Sequence, residues 1–438
     1  MAWNRRYSLK SYLKSSLWVV PVFALITELV LKRLSERLGG WMVRQGFYDL
    51  KTGFFALNAT EAHAVLDRIF TINLSCLVFT FGSLLVAIQV AGGQYTPRII
   101  ATTLLRDNVI RCIVGLFVFT LLWANRTMLQ LGEQTEVPQF QLFLAMAFGL
   151  AAIIAFILLI DYAAKLLRPV SLVGRIGEQG IEVIKSVYPE PVHNVAAPAT
   201  PARKLGSPDR IINYQGKSGI VLAVNLRGLR AEAQRANIII EVLPQAGDFL
   251  TDDDPLFYVY GNAGAIDRLK LQTLIALGSE RTMEQDPMFS FRIEVDIALK
   301  ALSPAVHDPT TAVLAIDQLH RLLRMVGKRS LRTHEIMDKA GQLRVIFCTP
   351  NWEDFVHITF REIRQSGAGS IQIARRLREM VESLTQSLPA HRHPVLREEL
   401  DLLDRAMASH YQFPEDLALA RIPDSQGLGA TSHKQPQE

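Results

Sequence analysis

Four long apolar stretches crowd into the first 172 residues, and they constrain this chain more than any other feature. A helix that crosses a bilayer needs ~20 mostly apolar residues, because each residue rises ~1.5 Å through a hydrocarbon core ~30 Å thick. The stretches fall at about 15–31 (SSLWVVPVFALITELVL), 69–91 (IFTINLSCLVFTFGSLLVAIQVA), 109–124 and 140–160 (FQLFLAMAFGLAAIIAFILLI). The first follows a basic run of Arg5, Arg6, Lys10 and Lys14, as a signal peptide would, but no small-residue cleavage site comes after it. It reads as a retained span. The expectation is an α-helical membrane domain of four transmembrane helices over residues 1–172.

Behind Leu172 the chain reads like a soluble protein, which is why its 438 residues average only 49% apolar, with 20% charged and a mean hydropathy of +0.17. A net charge of +5 suits the inner edges of membrane helices. No Lys/Arg run with interleaved aromatics supports nucleic-acid binding, so the lipid bilayer is the expected partner. Three cysteines, Cys76, Cys112 and Cys348, form no CxxC pair and read as small buried residues. Neither a metal site nor a cofactor is expected.

Orientation follows the Lys and Arg residues. With the N-terminus inside, the inner segments carry nine (Arg5, Arg6, Lys10, Lys14, Arg98, Arg106, Lys165, Arg168, Arg175) and the outer ones six (Lys32, Arg33, Arg37, Arg44, Lys51, Arg126). Four spans then leave both termini cytoplasmic.

Two membrane-side features stand out. Asn73, Cys76, Thr80, Ser83 and Ala87 share one face of the second span. Such a face either lines a pore or packs closely on a neighbouring helix; with no acid or base in mid-span, packing is the better reading. The segment after that span holds Gln89, Gly92, Gly93, Gln94, Tyr95, Pro97 and Arg98, then Arg106 and Asp107. The two glycines are expected to release the helix and Pro97 to start another, making a hinge or coupling element. Arginines seated on anionic headgroups would explain the charges equally well.

In the soluble half, 173–208 reads as an exit helix and a Pro/Ala-rich linker. Residues 209–262 read as a β-rich, barrel-like module, 263–412 as a mainly helical bundle, and 413–438 as a polar disordered tail. Ile266–Leu277 reads as one amphipathic helix. The densest constellation runs from Arg281 to Leu323. Asp286 before Pro287 and Asp308 before Pro309 are helix-start signals. Asp296 stands four residues from both Arg292 and Lys300, so an ion-pair ladder is available. Arg281, Gln285, Asp286, Asp296, Ser303, His307 and Asp308 together form a ligand-binding or purely structural corner. A Ser303/His307/Asp308 triad is disfavoured, since three neighbours on one turn rarely converge and no Gly-x-Ser-x-Gly elbow is present.

Three strings, SLWVVP (16–21), VAIQVAGGQYTPR (86–98) with LLRDN (104–108), and the RTxxQD…VDIAxxALSPAxxDPxTA pattern over 281–312, resemble an uncharacterised bacterial family of predicted membrane proteins, domain of unknown function 2254. The resemblance covers most of the chain. It implies an integral protein of the bacterial cell membrane with a cytoplasmic C-terminal domain, and supplies no activity or catalytic residue. His307 departs from the Asn expected in the AxNDP string. Two functions compete: a channel or transporter-like protein, homo-oligomeric, with a cytoplasmic regulatory domain, or a membrane-anchored regulator or scaffold that binds a partner or small ligand. An enzyme is the less favoured third, for want of a nucleophile–base pair, a metal cluster or a phosphate loop.

Overall fold

The computed structural model describes residues 3–16, 18–44, 57–94, 107–133, 137–166, 168–192, 205–261, 264, 266–331 and 334–429. Contacts divide these into two units. One, the membrane unit, holds the described residues of 13–93 and 107–168. The other, the soluble unit, combines residues 3–12 with the chain from Pro169 onward. The first helix, α1 (Trp3–Ser15), therefore contributes to both.

The membrane unit consists chiefly of α2 (Val19–Arg44), α3 (Ala59–Gln94), α4 (Asn108–Glu133) and α5 (Gln139–Leu166). Three of these are long and apolar enough to cross a membrane: Ala59–Val90, Asn108–Gly132 and Gln139–Leu166. The remaining expected span lies on α2, where the apolar run ends at Leu31 and Lys32, Arg33, Glu36 and Arg37 follow on the same helix. Reciprocal bonds between Asn58 and Glu61 (Glu61 N–H to Asn58 Oδ1, 2.9 Å; Asn58 N–H to Glu61 Oε2, 3.1 Å) box the start of α3. Asp107 caps α4 by accepting from the Val109 and Ile110 N–H groups.

Side-chain matches fix the directions of these helices. Val20 fits against Gly115, Lys32 meets Thr127 and Glu36 meets Gln130, so α2 and α4 run parallel. Trp123 donates to the Gln141 carbonyl, Phe119 stacks edge-on to Phe148, and Phe117 lies near Phe156, so α4 and α5 form an antiparallel hairpin. Ile69 seats on Gly149 and Phe79 on Phe156, so α3 runs with α5. Outward-facing residues of α3 and α5 such as Val78, Leu85, Val86, Leu150, Ile157 and Leu158 are exposed and apolar, as lipid requires.

The soluble unit opens with α6 (Pro169–Val187). Expected as an exit helix, it is a core element: Leu172, Val173, Ile176, Gly177, Gly180, Ile181 and Ile184 are buried. It packs on α9 (Pro287–Ala301) and α10 (Pro309–Gly327). Gly180 permits this approach, because a Cβ there would strike Ser290 and Leu322.

The strands are β1 (Arg210–Asn213), β2 (Gly219–Val224), β3 (Ile238–Val242), β4 (Phe249–Leu250), β5 (Pro255–Gly261), β6 (Ile275–Gly278), β7 (His334–Met337) and β8 (Leu343–Phe347). They build two sheets, β1-β5-β3-β8-β7 and β4-β2-β6. In place of a barrel-like module closed within 209–262, strands from beyond residue 330 complete the larger sheet. All pairings are antiparallel except β3–β8, where Ile240 pairs with Val345. Helix α7 (Leu226–Ala236) lies against β3 and β8, over a core that includes Leu229, Ile240, Leu256, Phe257 and Val345. The single helix expected over Ile266–Leu277 is instead α8 (Arg268–Gln272) followed by β6. Edge pairing with β2 outweighs the short amphipathic pattern there.

Three helices follow: α11 (Trp352–Gly367), α12 (Ile371–Ser387) and α13 (His393–His410). The tail departs from the expected disorder as far as Gly429: α14 (Pro414–Ala420) packs on α12, and a turn around the buried Asp424 follows. Of the expected linker and tail, 193–204 and 430–438 lie outside the described residues.

The N-terminal helix supplies the last piece of this unit. Trp3 and Tyr7, one turn apart, pack on Leu222, Ala223 and Ala276 of the three-stranded sheet. Tyr7 donates to Glu284 at 2.7 Å, Ser8 to the Leu277 carbonyl at 3.2 Å, and the Asn4 N–H to the Thr273 carbonyl at 3.1 Å.

Candidate functional site

The polar face of α3 bonds mostly within its own helix, apart from the buried Asn73 Oδ1, which has no partner among the described residues. Asn73 donates to the Ile69 carbonyl (2.9 Å), Thr80 to Cys76 (2.8 Å) and Ser83 to Thr80 (3.0 Å). Such back-bonding keeps these donors inside their own helix. Asn73 and Thr80 are buried, Cys76 and Ala87 are half-buried, and Ser83 is exposed, so the five residues share a stripe but not an environment.

The expected hinge is described only in part. Gln89 is exposed on α3, and the helix continues through Gly92 and Gly93 to Gln94 instead of breaking there. Tyr95, Pro97, Arg98 and Arg106 lie outside the described residues, as does the side chain of Gln94. Asp107 is buried, and besides capping α4 it accepts a 2.5 Å bond from Tyr162 of α5.

A group that the sequence reading passed over is a polar seam between α2 and α4. Lys32, 1% exposed, donates to Thr127 at 2.7 Å and sits 5.0 Å from the centre of the Trp123 ring. Glu28, 3% exposed, pairs with Arg126 at 3.5 Å, and its second oxygen has no partner among the described residues. Gln130 donates to Glu36 one turn further on. The available signal was the spacing of Glu28, Lys32 and Glu36, which places all three on one stripe of a helix. Reading Lys32 as loop hid it.

In the soluble unit Asp286 accepts from the Phe289 N–H (3.1 Å) and from Arg281 Nε (2.7 Å), so it caps α9 and holds an ion pair at once. Burial pushes its carboxyl upward, against the pull of Arg281. Gly247, with φ +95°, closes over this pair; a Cβ there would collide with the Arg281 guanidinium and the Asp286 carboxylate. Gln285 accepts from the Val224 N–H at 3.1 Å, linking the start of α9 to β2. Asp296 pairs with Arg292, which also reaches Glu362 of α11.

At the other end of α9, Ser303 donates to the Lys300 carbonyl (2.7 Å), and Asp308 caps α10 through the Thr311 N–H (3.0 Å). Neither side chain engages His307, which adopts a left-handed backbone (φ 47°) and donates its N–H to the Ser303 carbonyl. Asn tolerates that conformation better than most residues. His307 thus occupies a backbone that Asn and His both visit more readily than most residues, and among the described residues the corner presents no nucleophile–base pair. Glu294, between these two ends, is wholly buried with both oxygens unpartnered among the described residues, and burial holds its carboxyl well above the usual range.

Among the described residues, no group of three or more His, Cys, Asp or Glu side chains could hold a metal ion. The chain is 22% identical over 434 residues to an uncharacterized protein of Mycobacterium bovis, and to the same extent to an uncharacterized protein of Mycobacterium tuberculosis. Each match covers 95% of this chain and 81% of the relative. No solved structure matches it. The family model described as predicted membrane protein, domain of unknown function 2254, matches residues 14–383, and with most of its length inside that match the chain belongs to this family.

Proposed function

We propose that the chain is a four-span protein of the bacterial inner membrane, with both termini cytoplasmic. Its membrane unit passes an ion or small solute, and its soluble unit regulates that passage. The observation that carries the topology is the docking of residues 3–12 onto the three-stranded sheet. Those residues and the chain beyond Pro169 belong to one unit, so an even number of crossings separates them. Three helices qualify as spans, and α2, parallel to α4, is the natural fourth. Reporter fusions at both ends test this; an alkaline phosphatase active at either end would refute it.

The observation that supports passage is the seam formed by buried Glu28 and Lys32 with the partly exposed Arg126. Ionisable groups held inside a membrane bundle are costly and mark ion or substrate paths. Charged residues sit in it on both partner helices, whereas the α3 stripe carries none. Flux in proteoliposomes that Lys32→Met abolishes, with the oligomer intact by size-exclusion chromatography, is the expected result. Absence of flux for every ion and small solute tried would favour the second reading, a membrane-anchored regulator. For that reading the corner formed by Arg281, Asp286 and Gly247 is the relevant surface. Full function from the soluble unit on an unrelated anchor, with residues 1–12 retained, would establish it.

A further inference from the structure

Arg375 on α12 is 0% exposed, yet no carboxylate pairs with it among the described residues. Its Nε and Nη1 donate to two main-chain carbonyls, Ile422 (2.9 Å) and Gly429 (2.8 Å), and its Nη2 has no acceptor. Nη2 is the nitrogen that completes a two-nitrogen edge with either neighbour, and such an edge is what binds two oxygens of one oxyanion. A buried guanidinium without a counter-charge is expensive, and proteins ordinarily pair it.

The surroundings add charge of the same sign. Arg376, 8% exposed, pairs with Asp317 of α10 at 2.6 Å and leans on the Asp424 and Ser425 carbonyls at 3.4 Å. Arg324 of α10 donates to Ser383 of α12 at 2.6 Å and lies 3.3 Å from His320. Burial, with Arg324 and Arg376 nearby, pushes that imidazole down to about 4, so it stays neutral. Asp317 pairs with Arg376 and the Asp424 carboxylate is committed to backbone N–H groups, so Arg375 itself is left with carbonyl oxygens alone.

The segment 421–429 covers Arg375 and brings no charge to it. Its own acid, Asp424, is turned onto the N–H groups of Gln426 (3.0 Å), Gly427 (3.0 Å) and Gly429 (2.7 Å). Gln372 holds the Gly427 carbonyl at 2.7 Å. The strap thus offers Arg375 neutral oxygens where an anion would offer charged ones.

We propose that Arg375, with the neighbouring Arg376, forms a binding site for a phosphate-class dianion, which the 421–429 strap occupies until such a ligand displaces it. The inference does not depend on what the membrane unit carries. A site occupied by its own strap has an apparent dissociation constant raised by the reciprocal of the open fraction, so loosening the strap tightens binding.

The test uses the full chain in nanodiscs, with inorganic phosphate as the probe and acetate at matched ionic strength as the comparator. Limited trypsin treatment after Arg421 reports strap release by mass spectrometry, and calorimetry reports binding. Phosphate, and not acetate, is expected to speed release. Asp424→Ala, which removes the acceptor that shapes the strap, is expected to bind phosphate about tenfold more tightly, on the open-fraction argument. Arg375→Gln added to Asp424→Ala is expected to lose that binding while its melting temperature is kept. Where Asp424→Ala leaves the strap protected, a chain ending at His410 that still melts cooperatively takes its place. Phosphate binding that is equal with the strap closed and open, absent in both, or indifferent to Arg375→Gln would overturn the proposal.

Discussion

The phenol of Tyr162 on α5 donates to the carboxylate of Asp107 at the start of α4, 2.5 Å away. One carboxylate therefore both caps a membrane helix and ties its end to the end of a neighbour. Asp107→Ala removes the cap and the tie, and is expected to cost about 1–2 kcal/mol. Tyr162→Phe removes only the tie and is expected to cost about 1 kcal/mol. Thermal unfolding in detergent, followed by circular dichroism, checks the order; an equal loss for the two variants would show that the cap contributes nothing.

His307→Asn is expected to stabilise the soluble unit. The position is left-handed, where a bulky side chain is strained and Asn is tolerated. The gain is small, at most about 1 kcal/mol, because Asn is itself a non-Gly residue and His also visits this region more readily than most. A rise in melting temperature is the readout.

Glu294 makes stability depend on pH with a definite sign. Its carboxyl binds a proton more tightly in the folded state than in the unfolded one. The folded state therefore holds the extra proton above the ordinary carboxylate pKa, and stability falls as pH rises through that range towards the folded value. Glu294→Gln is expected to flatten this slope between about pH 4.5 and 7, where unperturbed glutamate has already ionised. Melting temperatures across that interval decide it, and an unchanged slope would sink the assignment.

Gly247→Ala is expected to destabilise the soluble unit by more than about 1 kcal/mol, since it adds left-handed strain to a collision. The collision falls on Arg281 and Asp286, so the cap of α9 should suffer with it. Arg281→Ala alone opens space there and should partly rescue Gly247→Ala. A double-mutant cycle measures that coupling.

The helices of the soluble unit were legible where caps and Pro mark them. Asp286-Pro287 and Asp308-Pro309 start α9 and α10 as the residues suggest. The sheet was less legible, because β3 pairs with β8 across a hundred residues and no local pattern records that partner. Residues 266–277 misled because a five-residue helix followed by a four-residue strand presents the same apolar spacing as one short helix. At the candidate site, Asp286 and Asp308 were legible as caps. The Glu28–Arg126 pair was not, since only the parallel packing of α2 on α4 brings residues 98 positions apart together. Glu294 gave no signal, because an acid between Ile293 and Val295 reads as surface until three packed helices enclose it.

The docking of Trp3 and Tyr7 also imposes an order on the chain's assembly. These residues are synthesised well before the glutamate that Tyr7 contacts, which lies 277 positions later. Until the ribosome has delivered the intervening helices and the small sheet, α1 has nothing to dock on. Conversely, a fragment beginning at Pro169 would fold with Leu222, Ala223 and Ala276 uncovered, an apolar patch open to other chains. Residues 3–12 are thus structurally among the last parts to be finished, and the soluble half needs them to be whole.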